Sequence, residues 1–153
     1  MSAAPVRFRD PLTTVYEFSD SILVRCPRCE ALAHYDRRPA VAPDGHGASY
    51  PHRRLICRSC GLARSSQSGD GRCHPALWLQ TGTRHGVVWA YNLEQLDLLG
   101  RFVAAPLRER PPWYEHGRKM TYVARLPAWI KRARNRDEVL RALDRLRASV
   151  TPR

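Results

Sequence analysis

Lysine is nearly missing from this chain: of 26 basic residues only Lys119 and Lys131 are lysine, and the other 24 are arginine. A GC-rich genome produces that bias as readily as selection for guanidinium chemistry does. Arginine content therefore permits bidentate contacts to phosphates and base edges without establishing them. Acidic residues are scarce too, 14 in all, which leaves a net charge of +12 and makes nucleic acid the first acidic partner to consider. No segment approaches 18 consecutive apolar residues, so a membrane-spanning helix is not expected. Met1-Ser2-Ala3-Ala4-Pro5 leads into Arg7, Arg9 and Asp10 rather than an apolar run, so no secretory leader is read and a cytoplasmic protein is the expectation. Catalytic signatures are absent from the local sequence. His34, His46, His52, His74, His85 and His116 are scattered, and none joins a Ser, Cys or carboxylate in a recognisable pattern. A non-enzyme without a small-molecule substrate is expected.

What the chain does have is a pair of Cys-x-x-Cys motifs. Cys26-Pro27-Arg28-Cys29 and Cys57-Arg58-Ser59-Cys60 are separated by 27 residues. A zinc ion takes four thiolates in a closed tetrahedral shell, and a spacing of two lets one tight turn supply two of them. The four cysteines are therefore read as ligands of one structural zinc ion. The rival reading, a redox dithiol, belongs at the start of a helix in a βαβ setting, and no such pattern surrounds either motif. Iron bound by four thiolates would use the same ligand set. A reducing compartment favours metal over disulfides. The fifth cysteine, Cys73, stands beside His74 and is read as a free thiol next to a loop.

At 153 residues there is room for one domain, or a small metal module with an appended domain. Residues 1–20, with Pro5 and Pro11 and few apolar groups, are expected to form a flexible arm. Residues 21–66 are expected to form the metal module, an antiparallel β unit. Ile22-Leu23-Val24-Arg25 enters the first pair as a strand, Ala31-Leu32-Ala33-His34-Tyr35 returns, and Arg53-Arg54-Leu55-Ile56 enters the second pair. Gly61 is placed for a left-handed turn. Residues 73–150 are expected to hold a β-hairpin and two to three helices. Leu77–Gln80 and Val87–Tyr91 flank a turn that would set Trp78 opposite Trp89. Asn92 with Gln95 reads as a capping box for a helix bearing Leu96, Leu99, Val103 and Leu107, bent or ended by Pro106. A short helix from Thr121, interrupted at Pro127, presents Trp129 and Ile130. Asn135 with Glu138 caps a last helix striped by Val139, Leu143, Leu146 and Val150. The fold class is α+β.

The charge is uneven: −1 over residues 1–20, +5 over 21–75, −1 over 76–100 and +9 over 101–153. Metallation of four thiols lowers the total to about +10. Arg53, Arg54, Arg132, Arg134, Arg141 and Arg145 are the candidate phosphate contacts. Asp137, Glu138 and Asp144 lie three or four residues from Arg141, so intrahelical pairing explains part of the C-terminal charge equally well. The functional expectation is a non-catalytic factor that binds nucleic acid, DNA or RNA. The alternative is an adaptor docking the tip around Asp44 to His52 on a larger transcription, replication or translation complex.

Cys26-Pro27-Arg28-Cys29, the strands between, and Cys57-Arg58-Ser59-Cys60-Gly61 resemble a zinc ribbon of the transcription factor IIB type, over roughly residues 21–66. The first pair departs from that pattern in carrying Glu30 where a glycine is common. Trp89-Ala90-Tyr91-Asn92-Leu93 and Leu126-Pro127-Ala128-Trp129-Ile130-Lys131 look like the small bacterial proteins described as zinc-ribbon-containing. The resemblance implies the four cysteines as ligands. It does not imply transcription initiation, because ribbons of this shape also serve other machines as rigid supports.

Overall fold

The computed structural model describes residues 4–5, 7–38, 52–66, 75–109 and 121–150. It is a mixed α/β chain with a cysteine-bearing antiparallel sheet and a C-terminal helix. The principal sheet has the order β2-β3-β4-β5, formed by Ser21–Arg25, Leu32–Arg38, His52–Ile56 and Ala63–Ser66. Ile22, Tyr35, Leu55 and Arg64 pair in one row across it, and Leu23, His34, Ile56 and Ala63 in the next. Side chains alternate between faces, so Ile22, Val24, Ala33, Tyr35 and Leu55 pack on one side with Cys26, Cys57, Leu62 and Leu77. Leu23 points the other way, into the main core.

Three consecutive apolar residues in β2 are thus all buried, because this strand is covered on both faces. Its free edge is also used. Leu23 N–H donates to the carbonyl of Tyr91 (2.7 Å), Arg25 N–H to Ala76 (2.8 Å), and Trp78 N–H to Leu23 (3.0 Å).

The main core lies among a hairpin, β6 (Leu79–Thr83) and β7 (Gly86–Ala90), and the helices α1 (Leu93–Ala104), α2 (Ala128–Lys131) and α3 (Arg136–Val150). Gly86 has φ 153°, and a Cβ there would meet the Trp129 ring at 3.0 Å, so side-chain-free backbone is needed at this crossing. The Asn92 cap forms as read: Gln95 N–H donates to Asn92 Oδ1 (2.9 Å). The same side chain does more, since its Nδ2 donates to the carbonyls of Phe18 and Ser21, both at 2.9 Å. Leu96, Leu99 and Val103 bury as read, joined by Leu98 and Phe102. On α3, Val139, Ala142, Leu143 and Leu146 face α1, and Arg147 forms an ion pair with Asp97.

Several expectations are corrected. Trp89 pairs with Gln80, not Trp78, because the strands meet at a two-residue turn, Arg84-His85, that sets the register. Trp78 lies before β6 and donates its indole N–H to Ser149 Oγ (3.1 Å). The helix does not reach Leu107. Pro106 cannot continue it, and Leu107–Glu109 forms β8, parallel to β1 (Arg7–Arg9). Residues 121–126 form turns rather than helix. Asn135 donates to the carbonyl of Trp129 (2.9 Å), and Glu138 reaches the hairpin turn, accepting from Arg84 Nε at 3.0 Å.

The stretch 7–20 also departs from a flexible arm. Phe8 and Phe18 are core residues, Phe8 edge-on to Phe102 and Phe18 to Tyr122. Buried Asp10 accepts from the Thr121 hydroxyl (3.1 Å) and from Leu12 N–H (2.8 Å), and Tyr122 N–H donates to the carbonyl of Thr13. Two aromatic side chains and one carboxylate suffice to anchor a polar segment. Val15–Phe18 forms a 3-10 turn that carries the second of these rings.

Asn92→Ala should lower the unfolding free energy by about 2 kcal/mol, since it removes a helix cap and leaves two carbonyls without their donor. Urea denaturation checks this as a lower midpoint at unchanged m-value.

Candidate metal centre

Two turns of closely similar construction carry the four cysteines. In the first, Cys26 N–H donates to the carbonyl of Ala31 (2.8 Å) and Glu30 N–H to that of Cys26 (2.9 Å). In the second, Cys57 N–H donates to Leu62 (2.9 Å) and Gly61 N–H to Cys57 (3.0 Å). Each turn closes the end of a hairpin, β2-β3 and β4-β5. The pairing of β3 with β4 brings both turns to the same end of the sheet.

The sulfurs converge. Cys26 Sγ lies 3.6 Å from Cys60 Sγ, Cys29 Sγ lies 3.6 Å from Cys57 Sγ, and all four fall within 4.8 Å of one another. Thiolates at about 2.3 Å from a tetrahedral ion sit about 3.8 Å apart. The donor set therefore fits a metal ion bound by four thiolates, in keeping with a zinc ribbon. Cys26 and Cys57 are buried, Cys60 is half-buried and Cys29 is exposed.

The thiols do not share charge equally. Burial works against the Cys26 thiolate, but the N–H groups of Cys29 and Arg28 and the thiols of Cys60 and Cys57 outweigh it and bring its pKa down to about 6. Arg28 N–H lies 3.4 Å from that sulfur. At Cys29 the Ala31 N–H favours the thiolate, yet partial desolvation of its sulfur within the cluster and the three neighbouring sulfurs prevail and push it up to about 11. Like charges this close cannot all ionise unaided, and a divalent cation among them removes the conflict.

Glu30 and Gly61 occupy the same place in the two turns, and both are left-handed, with φ of 63° and 76°. Glycine takes this conformation freely, whereas a residue with a Cβ is strained there. The first turn thus forms despite Glu30, held by the hydrogen bonds at either end.

The candidate phosphate contacts fall into two groups. Arg53 and Arg54 are on β4, pointing to opposite faces. Arg53 donates to the carbonyl of Ser19 (2.7 Å) and lies 5.5 Å from the Tyr35 ring centroid, so its cation is engaged within the fold, while Arg54 is exposed. Arg132, Arg134, Arg141 and Arg145 lie along the α2-to-α3 stretch, and all four are exposed. Neighbouring cations are structural: Arg108 donates to the carbonyls of Phe102 and Lys131, Lys131 to Ala124, and Arg136 to Val103. Sequence reasoning missed this use, for which only proximity to helix ends gives a signal. Cys73, His74 and most of the Asp44 to His52 tip lie outside the described residues; His52 begins β4. No helix among the described residues is long and apolar enough to cross a membrane.

Comparisons with protein families, with curated proteins and with solved structures find no match to this chain.

Glu30→Gly in the metal-loaded protein should raise stability by about 0.5–1 kcal/mol, and Gly61→Ala should lower it by about 1 kcal/mol, because no atom lies within 4 Å of the added Cβ and only backbone strain differs. Paired guanidinium unfolding curves measure both. Metal removal, or Cys57→Ser, should collapse the amide signals of β3, β4 and β5 while those of α1 and α3 persist, the two cores being separate. Residue-resolved NMR spectra before and after verified chelation test this.

Proposed function

We propose that this protein is a zinc-stabilised, non-catalytic accessory factor of the cytoplasm that binds nucleic acid through the arginines of its C-terminal region. Zinc is favoured over iron because a closed four-cysteine shell is one of its regular structural sites, and because it needs no redox partner. A complete shell leaves no coordination position for a catalytic water. Bound, the ion would supply the cross-link that a sheet this small cannot make from its own apolar residues.

The observation that carries the nucleic-acid reading is the state of Arg132, Arg134, Arg141 and Arg145. All four are exposed, and none has an acidic partner among the described residues, although Asp137 and Asp144 stand close by on α3. Guanidinium groups left unpaired suit a backbone of phosphates, each of which releases condensed counterions when neutralised. Arg54 is a further, separate contact on the sheet. Arg53, held by Ser19 and Tyr35, contributes less.

Zinc-loaded protein should bind duplex or single-stranded DNA or RNA with an affinity that falls steeply with salt. The quadruple alanine variant at 132, 134, 141 and 145 should flatten the log–log salt slope by about 3–4. Fluorescence anisotropy from 50 to 300 mM salt measures both quantities. No binding at the lowest salt, or an unchanged slope in the variant, refutes the reading.

A further inference from the structure

A cavity of about 280 Å³ opens between β7, α1 and the segment 121–130, remote in sequence from the cysteines. Val15, Leu99, Leu126, Pro127 and Ile130 supply its aliphatic wall, and Trp89 and Tyr122 its aromatic wall. Val87 stands at the rim of this site, 55% exposed. Voids of this size are rare in packed interiors, where side chains interdigitate, and concave apolar sites with one or two placed polar groups are the usual form of a small-molecule pocket.

The polar group here is Arg125. It is exposed, lines the cavity, and has no ion-pair or hydrogen-bond partner for its side chain among the described residues. Every other wall residue is uncharged. Tyr122 stays a neutral phenol, since burial raises its pKa to about 12 against the smaller opposing effect of the Gln95 amide. We infer that this cavity binds a small hydrophobic carboxylate, with its apolar body against Trp89, Leu99 and Ile130 and its carboxylate on the Arg125 guanidinium. A carboxylate matches the planar fork of one guanidinium, whereas a phosphate monoester would bring a second charge that no other cation of the pocket meets. The volume admits roughly a dozen non-hydrogen atoms. An aryl body and a medium alkyl chain both satisfy that size, and the experiment separates them.

Zinc-loaded protein would be titrated with 2-naphthoate, with decanoate, and with the neutral 2-naphthalenemethanol, following the indole N–H signals of Trp89 and Trp129 by NMR and the affinity by calorimetry. At least one carboxylate should bind saturably with a shift at Trp89, and the neutral compound should bind at least about tenfold more weakly. Arg125→Gln should reduce carboxylate affinity about tenfold and leave the neutral compound unaffected. Val87→Glu, on an exposed position that leaves folding intact, should also weaken the carboxylate, while Val87→Lys should not. Absence of saturable binding, equal affinity for the neutral compound, or indifference to Arg125→Gln each overturns the inference. Because the metal content is measured in the same samples, none of these outcomes bears on the cysteine site.

Discussion

Four sulfurs held within 4.8 Å of each other are the constraint from which the rest of the cysteine-bearing sheet follows. As thiols they fill space weakly, and as thiolates they repel. The backbone nevertheless invests in the charged form, directing N–H groups at Cys26 until its pKa falls to about 6 while Cys29 is driven to about 11. Four sulfurs this close favour a cation among them, since their thiolates repel one another. The apolar cluster on this face is small: among the described residues it has nine buried members, two of them cysteines. A core of that size does not hold four strands by apolar burial alone, so an ion held by the four cysteines and the packing around it would be one folding unit.

Strand β2 transmits that unit to the rest of the chain. Ile22 and Val24 face the cysteine core, Leu23 faces the main core, and the outer edge bonds to Ala76, Trp78 and Tyr91. Asn92 fastens the same corner by capping α1 and holding Phe18 and Ser21. The two cores therefore meet along β2, at Tyr91, which packs against both, and at Asn92. Removal of such an ion would be free to melt β3 to β5 without releasing α1 and α3, which pack on each other, on the hairpin and on the rest of the main core.

The cysteine end was the most legible part of the sequence, because Cys-x-x-Cys spacing is set by ligand geometry and is independent of distant packing. The strands entering and leaving each pair, the Asn92 cap and the apolar stripe of α3 were legible for a similar reason: each is a local rule. The errors came where a long-range contact overrode a local one. Residues 7–20 look like a free arm until Phe8 meets Phe102 and Asp10 meets Thr121, partners about a hundred residues away. Asn135 and Glu138 match a capping box, yet their side chains go to Trp129 and to Arg84 across the fold. The Trp78–Trp89 pairing failed by register, since a two-residue turn at Arg84-His85 aligns Gln80 with Trp89. Neither the cavity nor its arginine had a sequence signal, because its walls come from four separated stretches of chain.

The arginines illustrate how little a net charge says before structure divides it. Arg53, Arg108 and Arg136 donate to backbone carbonyls, and Arg108 lies 4.1 Å from the Phe102 ring centroid with burial pulling its pKa down. Arg84 and Arg147 are balanced by Glu138 and Asp97. The carbonyl-bonded cations keep their charge but have N–H groups committed to chain crossings, whereas Arg84 and Arg147 are neutralised at short range by their carboxylates. A guanidinium is well suited to this work, since its planar fork bonds two carbonyls from different segments where an ammonium is a single point. Arg132, Arg134, Arg141 and Arg145 on one stretch, Arg54 on the sheet and Arg125 at the cavity are among the exposed guanidiniums that make none of these bonds. A chain in which lysine is nearly absent thus uses one residue type for two physical tasks, and the number of bonds each guanidinium already makes is what distinguishes them.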